Sequence, residues 1–517
     1  MTLTKRIYIF LLVIMLICSL PIAILLAYNG LSYSYYSTLA DGVPLVLMKD
    51  SLLVHVLLVV LAALAAVVLD YFFEKKLSRK TQERVALGVL IFSVLTILVL
   101  GTVYVQMTPY YPEGDQLNTT AGAYYCKAGN YMMLQKGGYI GLYEQQKGFM
   151  FLYEILFTLF GDFCYKTAAQ FHVLFAGITV LAGYGFVRLQ FDKPMTGILY
   201  CVLMTFCFPY SILLPYIYGD VPAICFSMVL FWVLAKYAKQ YKVRYAVLGA
   251  VMATLALMCR MNTWIVLIAV GIGMILLAIR KKCYKPLVVV ICILLTAVGS
   301  IKAIDFMYEK RSGYESGVGI PSILWIAMGL QETNGSAGVY NRYQQGVFEE
   351  CDFDREISAQ IGKDYITVRL REFADNPAMA KEFFWKKMTS QWTEPLFNSL
   401  APTKTFKEDK PIPGWIQNMY YGPLRDIMWK SANYYQSLVY VAFLLFVAGA
   451  FLTVRKEQES SVKWIPFITV LGGFLFSLLW ENQCRYCLPY YVFLLLYVPW
   501  GILQLRCLLR GLKKSKE

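Results

Sequence analysis

The chain has 517 residues, 58% of them hydrophobic, and a formal net charge of +15 at neutral pH. Soluble cores of ordinary size cannot hide that much apolar surface. The basic residues cluster in short loops between apolar runs, where they set topology and meet anionic lipid heads, which argues against a nucleic-acid partner.

The apolar runs are about 17 to 23 residues long, enough to cross roughly 30 Å of hydrocarbon as helices. The expected class is therefore an all-α polytopic integral membrane protein. Candidate spans lie near 7–27, 51–71, 86–107, 196–217, 221–236, 243–259, 262–279, 286–304, 436–454, 464–480 and 487–505. The first run is too long for a signal-peptide core and lacks a small-x-small site after it, so it reads as a retained helix. Between 149 and 188 two apolar pieces are split by Gly161-Asp162; the shorter one, 149–160, reads as a shallow or re-entrant helix leading into one true span. The total is about 12 crossings. Pro209 and Pro215 are placed to break the 196–217 span.

Basic loops orient these spans. Lys75-Lys76, Arg79-Lys80, Arg188 and Lys193, residues 236–244, Arg280-Lys281-Lys282, Arg455-Lys456 and the tail 506–516 fall in the cytoplasm. Asp115, Tyr218-Gly219-Asp220, Arg260, residues 305–435 and residues 481–486 then fall outside. This divides the chain into a transmembrane domain, 1–304, with an outer loop at about 108–148; an extracytoplasmic segment, 305–435; and C-terminal transmembrane helices with a cytoplasmic tail, 436–517. Within the outer segment, 352–371 and 381–392 read as amphipathic helices, the second with a cation-aromatic face suited to lying on the membrane. Stretches 313–319, 335–338 and 402–413 read as loops.

Asp115 follows the third apolar run, in a loop with Tyr110 and Tyr111 and close to Tyr124 and Tyr125. A carboxylate at such a boundary is the first candidate for a catalytic base; the other reading is a helix N-cap. Glu144 and Lys147 form either a functional pair or a solvated surface pair. Asp220 opens a span and could equally be its N-cap. Arg260 fits an interfacial anchor as well as a ligand clamp. Arg485 is harder to explain away: Glu481, Gln483, Arg485 and Tyr486 precede an apolar run on the face where arginine is disfavoured. Carboxylates with arginines on one face suggest acid–base chemistry beside a phosphate clamp. Cys484 and Cys487 form a lone C-x-x-C and read as packing. With two histidines in the chain, no His-rich metal site is available, and the thirteen cysteines, many inside apolar runs, serve as small hydrophobes.

Three groups of motifs resemble those of bacterial GT-C membrane glycosyltransferases, the broad group that holds protein mannosyltransferases and lipid A aminoarabinose transferases, with the Gram-positive members most similar. They are 112–116, 139–149 and 159–161; then 321–330, 338–341 and 386–392; then 481–489. With the order of spans, the resemblance covers the chain from about residue 86 onward. The chain departs from many Gram-positive relatives at Glu144-Gln145, where they carry Pro-His, and it has two extra spans at its start.

The resemblance implies a polyprenyl-phosphate-linked sugar donor and an inverting transfer at the outer leaflet to a glycan, lipid or protein acceptor of the cell envelope. Asp115 matches the acidic residue of the first loop, near the acceptor hydroxyl, and Glu144 falls where a second acidic residue occurs in the aminoarabinose group. Arg485 and Arg260 would hold the donor phosphate, with Asp220, Glu481, Gln483, Tyr486 and Lys147 around the substrate. A divalent cation, Mg or Mn, is compatible with this chemistry; with so few histidines it would be a hard ion held by oxygen. The rivals are a lipid-linked saccharide flippase or exporter, and a polysaccharide polymerase or ligase. A transporter should carry charge in mid-span and inverted repeats, and neither is visible.

Overall fold

The computed structural model describes residues 3–37, 46–407, 410–454 and 461–514. Among them, nine helices are long and apolar enough to cross a membrane, or ten if the bent pair Cys484–Leu494 and Val498–Arg506, kinked by 47°, is one span. Two shorter apolar helices, Pro194–Thr205 and Val243–Cys259, join the bundle. The protein is all-α, with two short antiparallel hairpins, Tyr33–Tyr36 with Val46–Lys49 and Glu332–Thr333 with Ser336–Ala337.

The expected 196–217 span is not one helix. The Pro194–Thr205 helix stops, a five-residue helix Phe208–Ile212 follows, and irregular backbone leads to Asp220. Pro209 cannot donate the backbone bond that would continue the first helix. The segment still crosses the bundle. At one end Arg79, which opens the Arg79–Met107 helix, reaches Asp192 at 2.8 Å; at the other Tyr104 donates to the Ile212 carbonyl at 3.3 Å. Residues 147–160 form their own helix, Lys147–Phe160, which Gly161 ends at φ +90° before the Tyr165–Gln190 span, as the Gly161-Asp162 split predicts.

The outer segment is shorter than 305–435. The Lys285–Ser312 helix runs past residue 304, and the Pro423–Thr453 helix begins well before 436. Between them the Arg355–Asp375 helix is capped by Asp354, whose carboxylate accepts from the Glu356 and Ile357 amides, and the Pro377–Trp392 helix by Asn376. The second does not lie on the membrane as its cation-aromatic pattern predicts. It dives into the protein, and Lys387 and Trp392 are fully buried. Neighbouring positions on a helix face different ways, so Lys386 reaches Glu382 and Glu332 on the surface while Lys387 points inward.

The two extra spans, Leu3–Ser32 and Leu52–Lys76, pack against the Pro423–Thr453 helix, and their connecting hairpin docks on the outer segment, where Tyr35 donates its amide to the Thr393 carbonyl at 3.1 Å. At the opposite face Asp70 and Glu74 meet Lys193 and Arg506. Arg188, Lys193 and Arg506 thus share one face, as basic-loop topology requires. Arg455-Lys456 and the side chains beyond Arg506 lie outside the described residues.

Candidate active site

The loop after the Arg79–Met107 helix is zipped to the outer segment: the Tyr111 amide donates to the Thr405 carbonyl at 3.1 Å and the Lys407 amide to the Pro109 carbonyl at 2.8 Å. Gly114, at φ +55°, turns the chain into the Gly114–Lys127 helix, a conformation that suits a residue without Cβ. Glu113 holds the N-cap position there, and its carboxylate accepts from the Thr405 hydroxyl at 2.8 Å. Asp115 is therefore not the cap. It stands in the first turn, exposed, where the positive end of the helix dipole favours a carboxylate. The Tyr139 hydroxyl donates to it at 2.8 Å. Burial raises the Tyr139 phenol well above its ordinary range, with Tyr218 and Asp115 adding to the effect, so Tyr139 stays a donor. The field of Asp115 also reaches Tyr216, Tyr218, Glu481 and Tyr486.

Those residues wall a second group. Asp220 is the first residue of the Asp220–Gln240 helix and is 2% exposed. Gly219, not Asp220, takes the N-cap position. The Asp220 carboxylate instead accepts from Arg485 Nη1 at 2.7 Å and faces Arg260 Nη2 at 3.6 Å. A Cβ on Gly219 would sit 2.0 Å from the Cys259 carbonyl oxygen, so glycine there lets two backbones touch and brings Asp220 beside Arg260. Arg260 occupies an extended break between the Val243–Cys259 helix and the next turn. Its guanidinium lies 5.0 Å from the Tyr218 ring centroid and 5.2 Å from that of Tyr486, so it is enclosed by aromatics rather than reaching for the lipid boundary. Arg485 lies 4.7 Å from the Tyr216 ring. These are cation–π contacts in a desolvated setting, where they are strongest.

Glu481 is buried next to this pair, with the Tyr486 hydroxyl 3.5 Å away. Burial pushes its carboxyl up to about 7, with Arg485 and Arg260 opposing the shift. Gln483 precedes the short 3-10 helix Cys484–Cys487, and its carbonyl accepts from the Tyr486 amide at 2.9 Å. Cys484 and Cys487 are buried free thiols.

Glu144 and Lys147 do other work. Lys147 donates to Glu144 at 2.9 Å and to the Ser316 hydroxyl at 2.7 Å, and lies 3.6 Å from Asp305. The Gly317 amide donates to Glu144 at 2.7 Å. Lys147 is 5% exposed, so the pair is not a solvated one; it fastens the loop after the Lys285–Ser312 helix. The neighbouring residue that reaches the aromatic wall is Gln146, whose amide donates to the Tyr218 hydroxyl.

Sequence reasoning missed Tyr139, Gln146, Tyr216, Tyr218 and Asn482. All lie in or beside the singled-out motifs, but a tyrosine there also fits an aromatic belt. Asn482 donates to the Ala337 carbonyl at 2.7 Å and the Ser390 hydroxyl at 2.8 Å, joining motif 481–489 to 338–341 and 386–392. Among the described residues no three His, Cys, Asp or Glu side chains gather to hold a metal ion.

Residues 148–301 match the family model described as dolichyl-phosphate-mannose-protein mannosyltransferase. That stretch contains Asp220 and Arg260; Asp115, Glu481 and Arg485 lie outside it. No curated protein matches the chain. Over residues 148–301 the chain is thus similar to the dolichyl-phosphate-mannose-protein mannosyltransferases, a GT-C group of glycosyltransferases, and its apolar spanning helices are those of a multi-pass membrane protein.

Proposed function

We propose that the protein moves a sugar from a polyprenyl-phosphate-linked donor to a cell-envelope acceptor on the outer face of the membrane. The observation that carries this reading is the charge of the buried group: two arginines share one ion-pair partner, Asp220, and burial favours the neutral form of the neighbouring Glu481, which leaves positive charge for an anion. Guanidinium groups suit phosphate oxygens, and low local dielectric strengthens that contact. Asp115 faces the same aromatic wall from the water side, where an acceptor hydroxyl would enter.

In the proposed step the acceptor oxygen attacks the anomeric carbon and the bond from that carbon to the phosphate oxygen breaks. Asp115 takes the hydroxyl proton, while Arg485 and Arg260 stabilise the departing prenyl phosphate, which keeps the bonding pair. Tyr139 orients Asp115. The outer-face reading is supported by the opposite face, which carries Arg188, Lys193 and Arg506. No step runs through a metal ion.

Asp115→Asn should lower transfer by about 100-fold or more while the protein still inserts and accumulates. Near-normal transfer would sink the base assignment. Mass spectrometry of envelope glycopolymers from cells with and without the protein reads the sugar: loss of a hexose or a pentose names the donor class.

A further inference from the structure

Lys387 is fully buried on the Pro377–Trp392 helix, and its ammonium donates to the Gly329 carbonyl. Gly338 packs so tightly here that a Cβ would sit 2.7 Å from Lys387 Nζ. The Gly338 carbonyl in turn accepts from the Asn482 amide at 2.6 Å, and the residue before Asn482 is Glu481. This junction sets Lys387 within electrostatic reach of Glu481, with the Cys487 thiol and the Phe383 ring as its other neighbours. Glu481 is itself buried, has the Tyr486 hydroxyl 3.5 Å away, and lies within electrostatic reach of Arg485, Arg260 and Asp115.

We propose that Lys387 is a positioning residue for the donor clamp: buried at the junction that holds Asn482, it and Glu481 place titratable charge behind Arg260 and Arg485 and set how positive those arginines appear to the donor phosphate. This rests on the reading of those arginines as the phosphate clamp. Burial pulls the Lys387 ammonium down to about 7 against the upward pull of Glu481, and pushes the Glu481 carboxyl up to about 7. With both ionised, three cations stand against Asp220 and Glu481, leaving one positive charge. Below that range Glu481 takes a proton and the excess grows to two. Above it Lys387 loses its proton and the excess vanishes. Donor affinity therefore falls as pH rises through about 7.

The test is binding of a polyprenyl methyl phosphodiester, which like the donor carries a single charge throughout this range, by the purified full chain between pH 6 and 8. Wild type should lose roughly tenfold in affinity over that range. Lys387→Met with Glu481→Gln fixes the excess at one charge and should flatten the dependence. Glu481→Gln alone should halve the slope, which covers the case in which the double variant does not accumulate. A wild-type slope in either variant overturns the proposal. Arg485→Ala separates the two readings: unchanged binding there rejects the clamp, whereas lost binding with a wild-type slope in the double variant rejects Lys387 alone.

Discussion

The two ends of the helix bundle each hold a cluster of acids and bases around a buried aspartate, Asp70 at one and Asp220 at the other, and their stoichiometry differs. At the face with the basic loops, Asp70 meets Arg506 at 2.6 Å and Lys193 at 2.9 Å, and Glu74 meets the same two cations. Two acids face two bases, and the cluster ties the second span, the loop before Pro194–Thr205 and the C-terminal helix together. At the other face Asp220 alone meets Arg260 and Arg485, and its Oδ1 has no hydrogen bond. The first cluster is complete and acts as a latch. The second has charge to spare beside an aromatic wall, which is what a site for an anionic ligand requires. Buried ion pairs are weak arguments for stability by themselves; the balance of charge within each cluster tells latch from site.

The largest effects should separate the clusters. Arg485→Ala leaves Asp220 paired with Arg260, so the protein should accumulate, but the spare charge is gone and transfer should fall by about 100-fold or more. Asp70→Asn leaves two cations around Glu74 alone, a loss of about 3–5 kcal/mol for a broken buried pair, and should lower accumulation and thermal stability while surviving protein keeps its affinity for donor. Equal loss of accumulation in both variants, measured by fluorescence-detected size exclusion, would end the distinction.

A smaller effect is expected at the mouth. Tyr139→Phe removes one hydrogen bond to the Asp115 carboxylate, worth about 1.5–3 kcal/mol when one partner is charged, so transfer should fall roughly ten- to 100-fold with donor binding unchanged. A rise in donor KM with constant kcat would place Tyr139 in the clamp instead.

How much of this was legible in the sequence follows from the range of the forces involved. The apolar spanning helices and the broken 196–217 segment come from local composition and from Pro209, and both were readable. The bond between Arg485 and Asp220 joins residues 265 positions apart. One sequence offers motifs on either side but no distance between them, so Asp220 kept a capping reading that only the Gly219 contact removes. Lys386 and Lys387 both fell within the stretch 381–392, read as one amphipathic helix with a cation-aromatic face. The helix splits them, and burial of a lysine has no local signature because it depends on the backbone that closes over it. Glu144 and Lys147 were candidates because charge topology put them on the outer face, with a family resemblance added for Glu144; their partners sit on the Lys285–Ser312 helix and the loop after it, which no spacing rule reaches.

Glu394 gives the smallest test, on a third kind of buried acid. It is 1% exposed and held by the backbone N–H groups of Asn398 and Leu396 rather than by an ion pair of the kind at either cluster. Burial raises its carboxyl to about 7, with those N–H bonds and Arg425 opposing. A carboxyl raised above its unfolded value binds its proton more tightly when folded. Its contribution is present below the ordinary value of 4.5 and is lost as pH rises through about 7. Wild-type melting temperature should therefore decline between those values by about a few degrees. Glu394→Gln, which cannot ionise, should remove that part of the decline. An unchanged pH slope in the variant would show that the buried acid does not titrate, and would move the source of any decline to Glu481, whose carboxyl is raised in the same sense and which Glu481→Gln reads independently.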